Sequence, residues 1–276
     1  MENNHMRSAR VPPPAKPGSG VAGNFRMGRT VSALILREMA SRYGRSPGGY
    51  VWAVLEPLGM IIFMSIGFSL LVRSPAMGTS FLLFFGTGFV PFNLYMSISN
   101  PVSRTLTYSS ALLSYPVITW VDAILARFIL NTLTGFMVSF LMLALIIATL
   151  DTPILLDVAP AMTSISLAAL LGLGVGALNC ALIGKVAVWE KFWTIFTRPL
   201  FLISGIIIRY EDMPDGLQNI LWYNPLIHII GHMREGFYPT YEADYFSASY
   251  VIFISLITLF LGTVLLGRYH REILTN

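Results

Sequence analysis

The sequence predicts an all-α membrane protein of six transmembrane helices, with an N-terminal amphipathic helix at the membrane surface and short re-entrant helices between the fifth and sixth spans. Three observations carry this reading. The chain is 55% hydrophobic and only 12% charged, with a mean hydropathy of +0.67, whereas soluble domains carry about a quarter charged residues. Residues 74–103, 128–150, 158–184 and 245–267 hold no Asp, Glu, Lys or Arg, and each run exceeds the roughly 20 residues that cross a hydrocarbon core. Between residues 210 and 248 the spans give way to a segment too apolar and aromatic for a solvent loop, with a helix-breaking Asn224-Pro225 between two short helical patterns. Short helices that dip into a bilayer or roof a pore read this way.

Taken in order, residues 1–28 form a tail containing Pro12-Pro13-Pro14 and Pro17-Gly18, a composition that favours disorder, and residues 29–276 form one membrane domain. Residues 30–43 read as a basic helix with Ile35, Leu36, Met39 and Tyr43 on one side, interrupted by Arg42 and closed by Gly44 and Ser46-Pro47-Gly48-Gly49; such a helix lies along a membrane surface. The first span runs over about 51–72 and the second over 81–99. A segment bracketed by Pro101 and Pro116 follows. The third span covers 121–150, and Asp151-Thr152-Pro153 turns the chain. The fourth, 159–183, carries Gly172, Gly174 and Gly176, small residues that let helices approach closely in lipid. The fifth, 192–208, is cut by Arg198-Pro199, and the sixth is 250–266.

Lys and Arg set the orientation. With a cytoplasmic N-terminus, 13 of the 18 basic residues fall inside and only Arg73, Arg209 and Arg234 outside; Arg127 and Arg198 lie within or beside spans. Both termini are therefore expected in the cytoplasm. The net charge of +4 is this topology bias and implies no nucleic acid. No signal peptide precedes the first apolar stretch, so the first span is expected to act as its own insertion signal. The single cysteine, Cys180, allows no disulfide framework within the chain.

The sequence shows no Walker motif, no His-Glu-x-x-His, no Gly-x-Ser-x-Gly and no paired cysteines, and implies no cofactor, catalytic group or metal. His228 and His232 are spaced to share a helix face as metal ligands, but a polar helix face at the interface explains them better. Glu56, beside Pro57 at the start of the first span, either pairs with an arginine of the surface helix (Arg37, Arg42) or sits among headgroups. Arg198 either faces a water-filled or sugar-lined cavity or snorkels to the inner interface. In the segment 100–119, Arg104 opens a short helix whose Leu106, Leu112 and Leu113 either insert into a partner's groove or pack on the chain's own bundle. Asp122 and Arg127 each find partners elsewhere in the bundle. Aromatic residues cluster at the inner mouth of the fifth span (Trp189, Trp193, Phe196) and outside (Trp222, Tyr223, Tyr238). They are either an aromatic belt or stacking surfaces for sugar rings.

Four stretches resemble a known family: Leu36-Arg37-Glu38-Met39 and Arg42-Tyr43-Gly44 leading into Gly49 through Pro57; Leu112-Leu113-Ser114-Tyr115-Pro116-Val117 with Asp122 and Ala126-Arg127; Trp189-Glu190-Lys191-Phe192-Trp193; and Trp222-Tyr223-Asn224-Pro225-Leu226 with His228 and Arg234-Glu235-Gly236. Together they are similar to the permease subunit of type 2 ABC exporters, in the group that exports capsular polysaccharide and O-antigen, with the capsule branch nearest. The resemblance implies a homodimer in the bacterial inner membrane bound to two copies of a separate soluble ABC ATPase, passing a lipid-linked polysaccharide between its two halves. It makes 104–113 the coupling helix, with Arg104, Leu106, Leu112 and Leu113 at the ATPase. Arg37, Arg42 and Glu56 belong to the interface helix and its anchor. Trp189, Trp193, Phe196 and Arg198 face pore and substrate; Trp222, Tyr223, His228 and Tyr238 form the outer gate. Membrane lipids surround the bundle, and docking of periplasmic export proteins stays open. The Pro-rich tail departs from the family pattern. The alternatives are a type 2 exporter of a drug or small lipid, without aromatic lining; a membrane-bound glycan-processing enzyme such as an acyltransferase, which needs a catalytic His or Asp near the membrane face; and a passive scaffold, which needs no roof helices.

Overall fold

A computed structural model of the chain describes residues 23–43, 48–113, 118–150 and 155–275. Residues 1–22 of the expected tail, the expected helix-closing residues 44–47, the motif residues Ser114 to Val117 and the expected turn at Asp151-Thr152-Pro153 lie outside the described residues, whereas residues 23–28, expected as part of the disordered tail, are helical in α1. The described residues are helical and turn structure throughout, without strands. In chain order the helices are α1 (Gly23–Tyr43), α2 (Gly49–Leu71), α3 (Phe81–Ser103), α4 (Thr105–Leu113), α5 (Trp120–Ala148), α6 (Val158–Lys185), α7 (Ala187–Ile203), α8 (Asp215–Leu221), α9 (Pro225–Glu235) and α10 (Ala248–Thr275).

The helix starts are written in the sequence. Ser80 opens α3 by accepting the Leu83 N–H at 3.3 Å, and Asp157 opens α6 by accepting the Ala159 N–H at 3.0 Å. α5 begins with a capping box. The Thr119 hydroxyl accepts from the Asp122 N–H at 3.2 Å while the Asp122 carboxylate accepts from the Thr119 N–H at 3.0 Å, so two orphan donors are satisfied reciprocally. Asp122 is thus spent on its own helix rather than on a distant partner. Asn224 caps α9, accepting from the Leu226 N–H at 3.1 Å, with Pro225 at the first helical position, where its missing N–H costs nothing.

α6 is the central column. Gly172 and Gly176, four residues apart, face α3: a Cβ on Gly172 would stand 3.1 Å from the Tyr95 carbonyl oxygen, and one on Gly176 3.0 Å from that of Ser99. Gly174, half a turn away, faces α10, where a Cβ would come within 2.3 Å of the Ser255 carbonyl oxygen. Gly262 answers from α10, with backbone of Leu178 2.5 Å from where its Cβ would be. The every-second-residue spacing of the three glycines therefore serves two opposite helix faces, each allowing backbones to touch.

Among the described residues, five helices are long and apolar enough to cross a membrane: α2, α3, α5, α6 and α10. Their burial separates centre from periphery. The most apolar window of α3 is 72% buried and that of α6 61%, against 22% for both α2 and α10. The expected fifth span differs. α7 is 17 residues long and carries Glu190, Lys191 and Arg198, too short and too charged to meet the same standard. It also sits about five residues earlier than the sequence reading placed it. It runs through Pro199 and stops at Gly205, whose φ of +85° suits only glycine without strain. The two short helices of the 210–248 segment are present as α8 and α9. α9 is deeply packed, with Leu226, Ile229, Ile230 and Met233 in the main apolar core.

Candidate functional site

At the end of α3, α4 forms a second short helix. Val102, Leu106, Ser109 and Leu113 recur at intervals of four, three and four, one face of a helix. Leu106 is 2% exposed within the main core, Ser109 is buried, and Leu113 is half-buried against the same core. This corrects the expectation that Leu106 projects outward: its side chain is part of the bundle and is not available to a partner. Leu112 is half-buried. The outward face of α4 consists of Arg104, Thr107, Tyr108 and Ser110, with Tyr108 64% exposed. The sequence signal for this was the phase of the leucines relative to Val102.

α1 is tied to the bundle by a different ion pair from the expected one. Glu56 is exposed and makes no ion pair among the described residues, and the Arg42 side chain lies outside them. Instead Glu38 of α1 meets Arg127 of α5 at 3.4 Å. Arg127 also donates to the Pro101 carbonyl at 3.1 Å, and its guanidinium stands 5.5 Å from the centre of the Tyr108 ring. Arg37 is exposed and, with Arg104, Arg127 and Glu38, lines a cavity of about 530 Å³. Glu56 lines another, of about 590 Å³, together with Asn93, Ser97 and Asn131 from α3 and α5.

Along α7 the aromatic residues form a continuous ledge. Trp189 and Trp193 stack at 6.4 Å and 20°, and Trp193 and Phe196 at 5.9 Å and 28°. Spacings of four and three residues put these rings on one side of the helix. Trp189 is fixed by its indole N–H, which donates to the Asn179 side-chain oxygen at 2.8 Å. Phe196 is 55% exposed. Arg198 is exposed and lines a cavity of about 280 Å³ with Trp193, Glu190 and Arg104. Across its mouth Arg104 meets Glu190 at 2.9 Å, which joins the beginning of α4 to the beginning of α7. The sequence reading named three of these four residues and missed Glu190 as the link.

On the opposite end, the aromatic cluster around α8 and α9 is knitted rather than loose. The Trp222 ring lies 4.9 Å from that of Tyr250 and 5.1 Å from His228, and the Tyr250 hydroxyl donates to the Tyr223 carbonyl at 2.7 Å. His228 is wholly buried. Its Nδ1 accepts the Ser247 N–H at 3.2 Å, so its Nε2 carries the proton and donates to the Trp222 carbonyl at 2.8 Å. Burial lowers the His228 pKa, outweighing its hydrogen bonds to the backbone of Trp222 and Tyr245. His232 turns to Glu235 and stacks on Phe246 at 3.9 Å, so the two histidines face different partners. Of the four expected outer-gate residues, Tyr223 is 69% exposed and Trp222 half-buried, while His228 and Tyr238 are buried. Those last two hold α9 in place and present no surface.

Arg234, counted from the sequence as an outside loop charge, is 1% exposed. Its guanidinium donates to the Ile206 carbonyl at 3.1 Å and lies 4.4 Å from the centre of the Phe84 ring. Burial pushes its pKa down, but arginine remains charged at physiological pH. It locks α9 to α3 and to the end of α7. Beyond it, Tyr241 donates to Glu211 at 2.7 Å. Burial, then the neighbouring Tyr245 and Glu211, hold its phenol well above the ordinary range.

These features define a class first: a multi-pass helical membrane protein with polar cavities at one end and a packed helical roof at the other. Residues 29–238 match the model of the ABC-2 type transporter family, and the chain belongs to that family. It is 28% identical over 247 residues to the polysialic acid transport protein KpsM of Escherichia coli, covering 90% of this chain and 96% of the relative. It is 25% identical over 248 residues to the capsule polysaccharide export inner-membrane protein BexB of Haemophilus influenzae, covering 89% and 93%. With the capsule polysaccharide export inner-membrane protein CtrC of Neisseria meningitidis serogroup A it shares 23% identity over 249 residues, covering 89% and 92%.

Proposed function

We propose that this chain is the permease subunit of an ATP-driven exporter that moves a lipid-linked capsular polysaccharide across the bacterial inner membrane. The observation that carries this is similarity along nearly the whole length to a polysialic acid transport protein and to capsule polysaccharide export proteins of two further organisms. That similarity favours a polysaccharide over a drug or small lipid as cargo. Two copies pair through the apolar faces that α2 and α7 leave exposed, as at Phe63 and Leu70 on α2 and Phe192 and Ile195 on α7. α7 completes a sixth span at this interface, where its charges face a water-filled path rather than lipid. The rings of Trp189, Trp193 and Phe196 then offer flat surfaces to sugar C–H faces, and Arg198 stands in the same path. Both termini lie in the cytoplasm, α1 lies along the inner membrane surface, and α8 and α9 dip back from the outer side as the exit gate.

The energy comes from a separate ATPase subunit on each copy. It seats against the outward face of α4, formed by Arg104, Thr107, Tyr108 and Ser110. When the ATPases close, α4 moves, and the Arg104–Glu190 pair carries that movement to α7 and its ledge. The chain supplies conformational change and no bond chemistry. The experiment is complementation of a permease-deficient capsulated strain. The intact chain restores surface polysaccharide, and Trp193→Ala with Phe196→Ala does so poorly while still co-purifying with the ATPase. Full export by that double variant would remove the ledge from the substrate path.

A further inference from the structure

The cavity of about 590 Å³ lies between spans, and its polar walls have no explanation in packing. Its volume is in the range of small-ligand sites, about 300–1,000 Å³. α2 lends it Glu56, α3 Asn93 and Ser97, and α5 Asn131 and Thr134. Asn93 and Thr134 stand at the middle of their helices, and Glu56 is two turns into α2, about 10 Å from its start. Two of these side chains are engaged within the chain. Asn131 donates to the Arg127 carbonyl at 2.7 Å, and Ser97 to that of Leu94 at 2.9 Å. Glu56, Asn93 and Thr134 make no side-chain hydrogen bond or ion pair among the described residues. Polar groups left unmet at membrane depth are costly, so three around one cavity mark a place where another molecule meets them.

We propose that this cavity holds a neutral sugar unit of the cargo. Glu56 is the one charged side chain among the described lining residues, and a lone carboxylate turns away phosphate and carboxylate groups. Neighbouring sugar hydroxyls donate and accept, so they satisfy a carboxylate, an amide and a hydroxyl together. An acyl chain satisfies none of the three, and an organic cation would meet Glu56 and leave Asn93 and Thr134 bare. Phe63, Phe89 and Phe201 add apolar faces from α2, α3 and α7, against which the C–H side of a sugar ring lies. Phe89 and Phe201 meet edge to face at 6.1 Å, which fixes both rings before a ligand arrives. Phe63 is 74% exposed, so the α2 wall opens sideways, onto the path between the two copies. The inference deepens the export reading and rests on it in taking the sugar to be cargo.

The test is photolabelling of the full chain in phosphatidylcholine nanodiscs with diazirine-tagged octyl glucoside, the labelled peptides being mapped by mass spectrometry. Label should fall on residues 53–63 and 89–97 and be displaced by octyl glucoside, but not by octanol or octyltrimethylammonium at matched concentration. Asn93→Leu with Thr134→Val should cut labelling about tenfold, the effect of two lost hydrogen bonds, while Thr163→Val, at an exposed site on α6, should leave it unchanged. Glu56→Gln removes the charge and keeps an acceptor for hydroxyls, so it should retain most of the label. Equal displacement by octanol would assign the cavity to an acyl chain and overturn the proposal. Stronger displacement by octyltrimethylammonium, with loss of label in Glu56→Gln, would assign it to an organic cation and overturn it too. Label outside these peptides, or undiminished in the double variant, would have the same consequence. The measurement uses neither ATP nor the ATPase subunit, so its failure leaves the export reading standing.

Discussion

Reversing the charges of Arg104 and Glu190 separates a coupling link from an incidental surface contact. The two meet at 2.9 Å with side chains 45% and 44% exposed. Exposed pairs of this kind contribute about 0.2–1 kcal/mol. A like-charge pair at about 4 Å in water costs about 1 kcal/mol. Arg104→Glu or Glu190→Arg therefore shifts the local energy by about 1–2 kcal/mol, too little to unfold a domain stable by about 5–15 kcal/mol. It is enough to shift a two-state equilibrium at α7 by about 5–30-fold. Each single reversal should leave the melting temperature near wild type and cut surface polysaccharide severely, and Glu190→Arg, which lies outside the ATPase-facing side of α4, should also keep ATPase co-purification near wild type. The double reversal restores the attraction and should recover most of the export. The assay is complementation with quantified surface polysaccharide beside thermal unfolding of the purified chain. Normal export by either single variant, or a double variant no better than the worse single, would refute the transmission of movement through this pair.

Three further outcomes are expected. Gly174→Ala places a methyl 2.3 Å from the Ser255 carbonyl oxygen and 2.5 Å from the Thr258 hydroxyl; overpacking against backbone should destabilise by about 1–3 kcal/mol, whereas Gly59→Ala, with nothing within 4 Å, should be neutral or slightly stabilising, and equal melting temperatures would contradict the α6–α10 contact. Leu106→Ala should cost about 2–5 kcal/mol as a core truncation, while Tyr108→Ala should keep the fold and weaken ATPase co-purification; the reverse pattern would return Leu106 to the partner surface. Because the folded-state pKa of His228 lies below its unfolded value, the unfolded chain binds the extra proton first, so the stability held above about pH 6.5 should be lost as pH falls through and below that point. His228→Gln should flatten that acid limb in thermal unfolding, and an unchanged limb would remove His228 from the acid response.

Much of the bundle was legible because charge-free runs and membrane thickness leave little freedom in where a helix can lie. α3, α5 and α6 start and end within a few residues of the sequence reading, with Ser80, Thr119 and Asp157 marking their starts. α7 lies earlier than expected because the charges of Glu190 and Lys191 read as loop, whereas the helix runs through them and breaks at Gly205. The aromatic ledge was readable from its helical spacing, since Trp189, Trp193 and Phe196 recur at four and three residues. Leu106 was misread because an isolated leucine in a short helix shows no face until Val102 before it is included. Two links were beyond local pattern. Glu38 and Arg127 are 89 positions apart, and Arg104 meets Glu190 only because α7 folds back beside the end of α3. Arg234 looked like a surface charge because burying a guanidinium against Phe84 requires α3, which no neighbouring residue announces.

The central claim is that this chain moves polysaccharide outward when another subunit hydrolyses ATP. Its most direct measurement is in sealed inverted membrane vesicles that hold the chain and its ATPase subunit and are supplied with radiolabelled lipid-linked polysaccharide. The expected result is ATP-dependent accumulation of label in the lumen, absent when the ATPase subunit is omitted. Accumulation without the ATPase subunit, or none with both present and ATP being hydrolysed, would contradict the account.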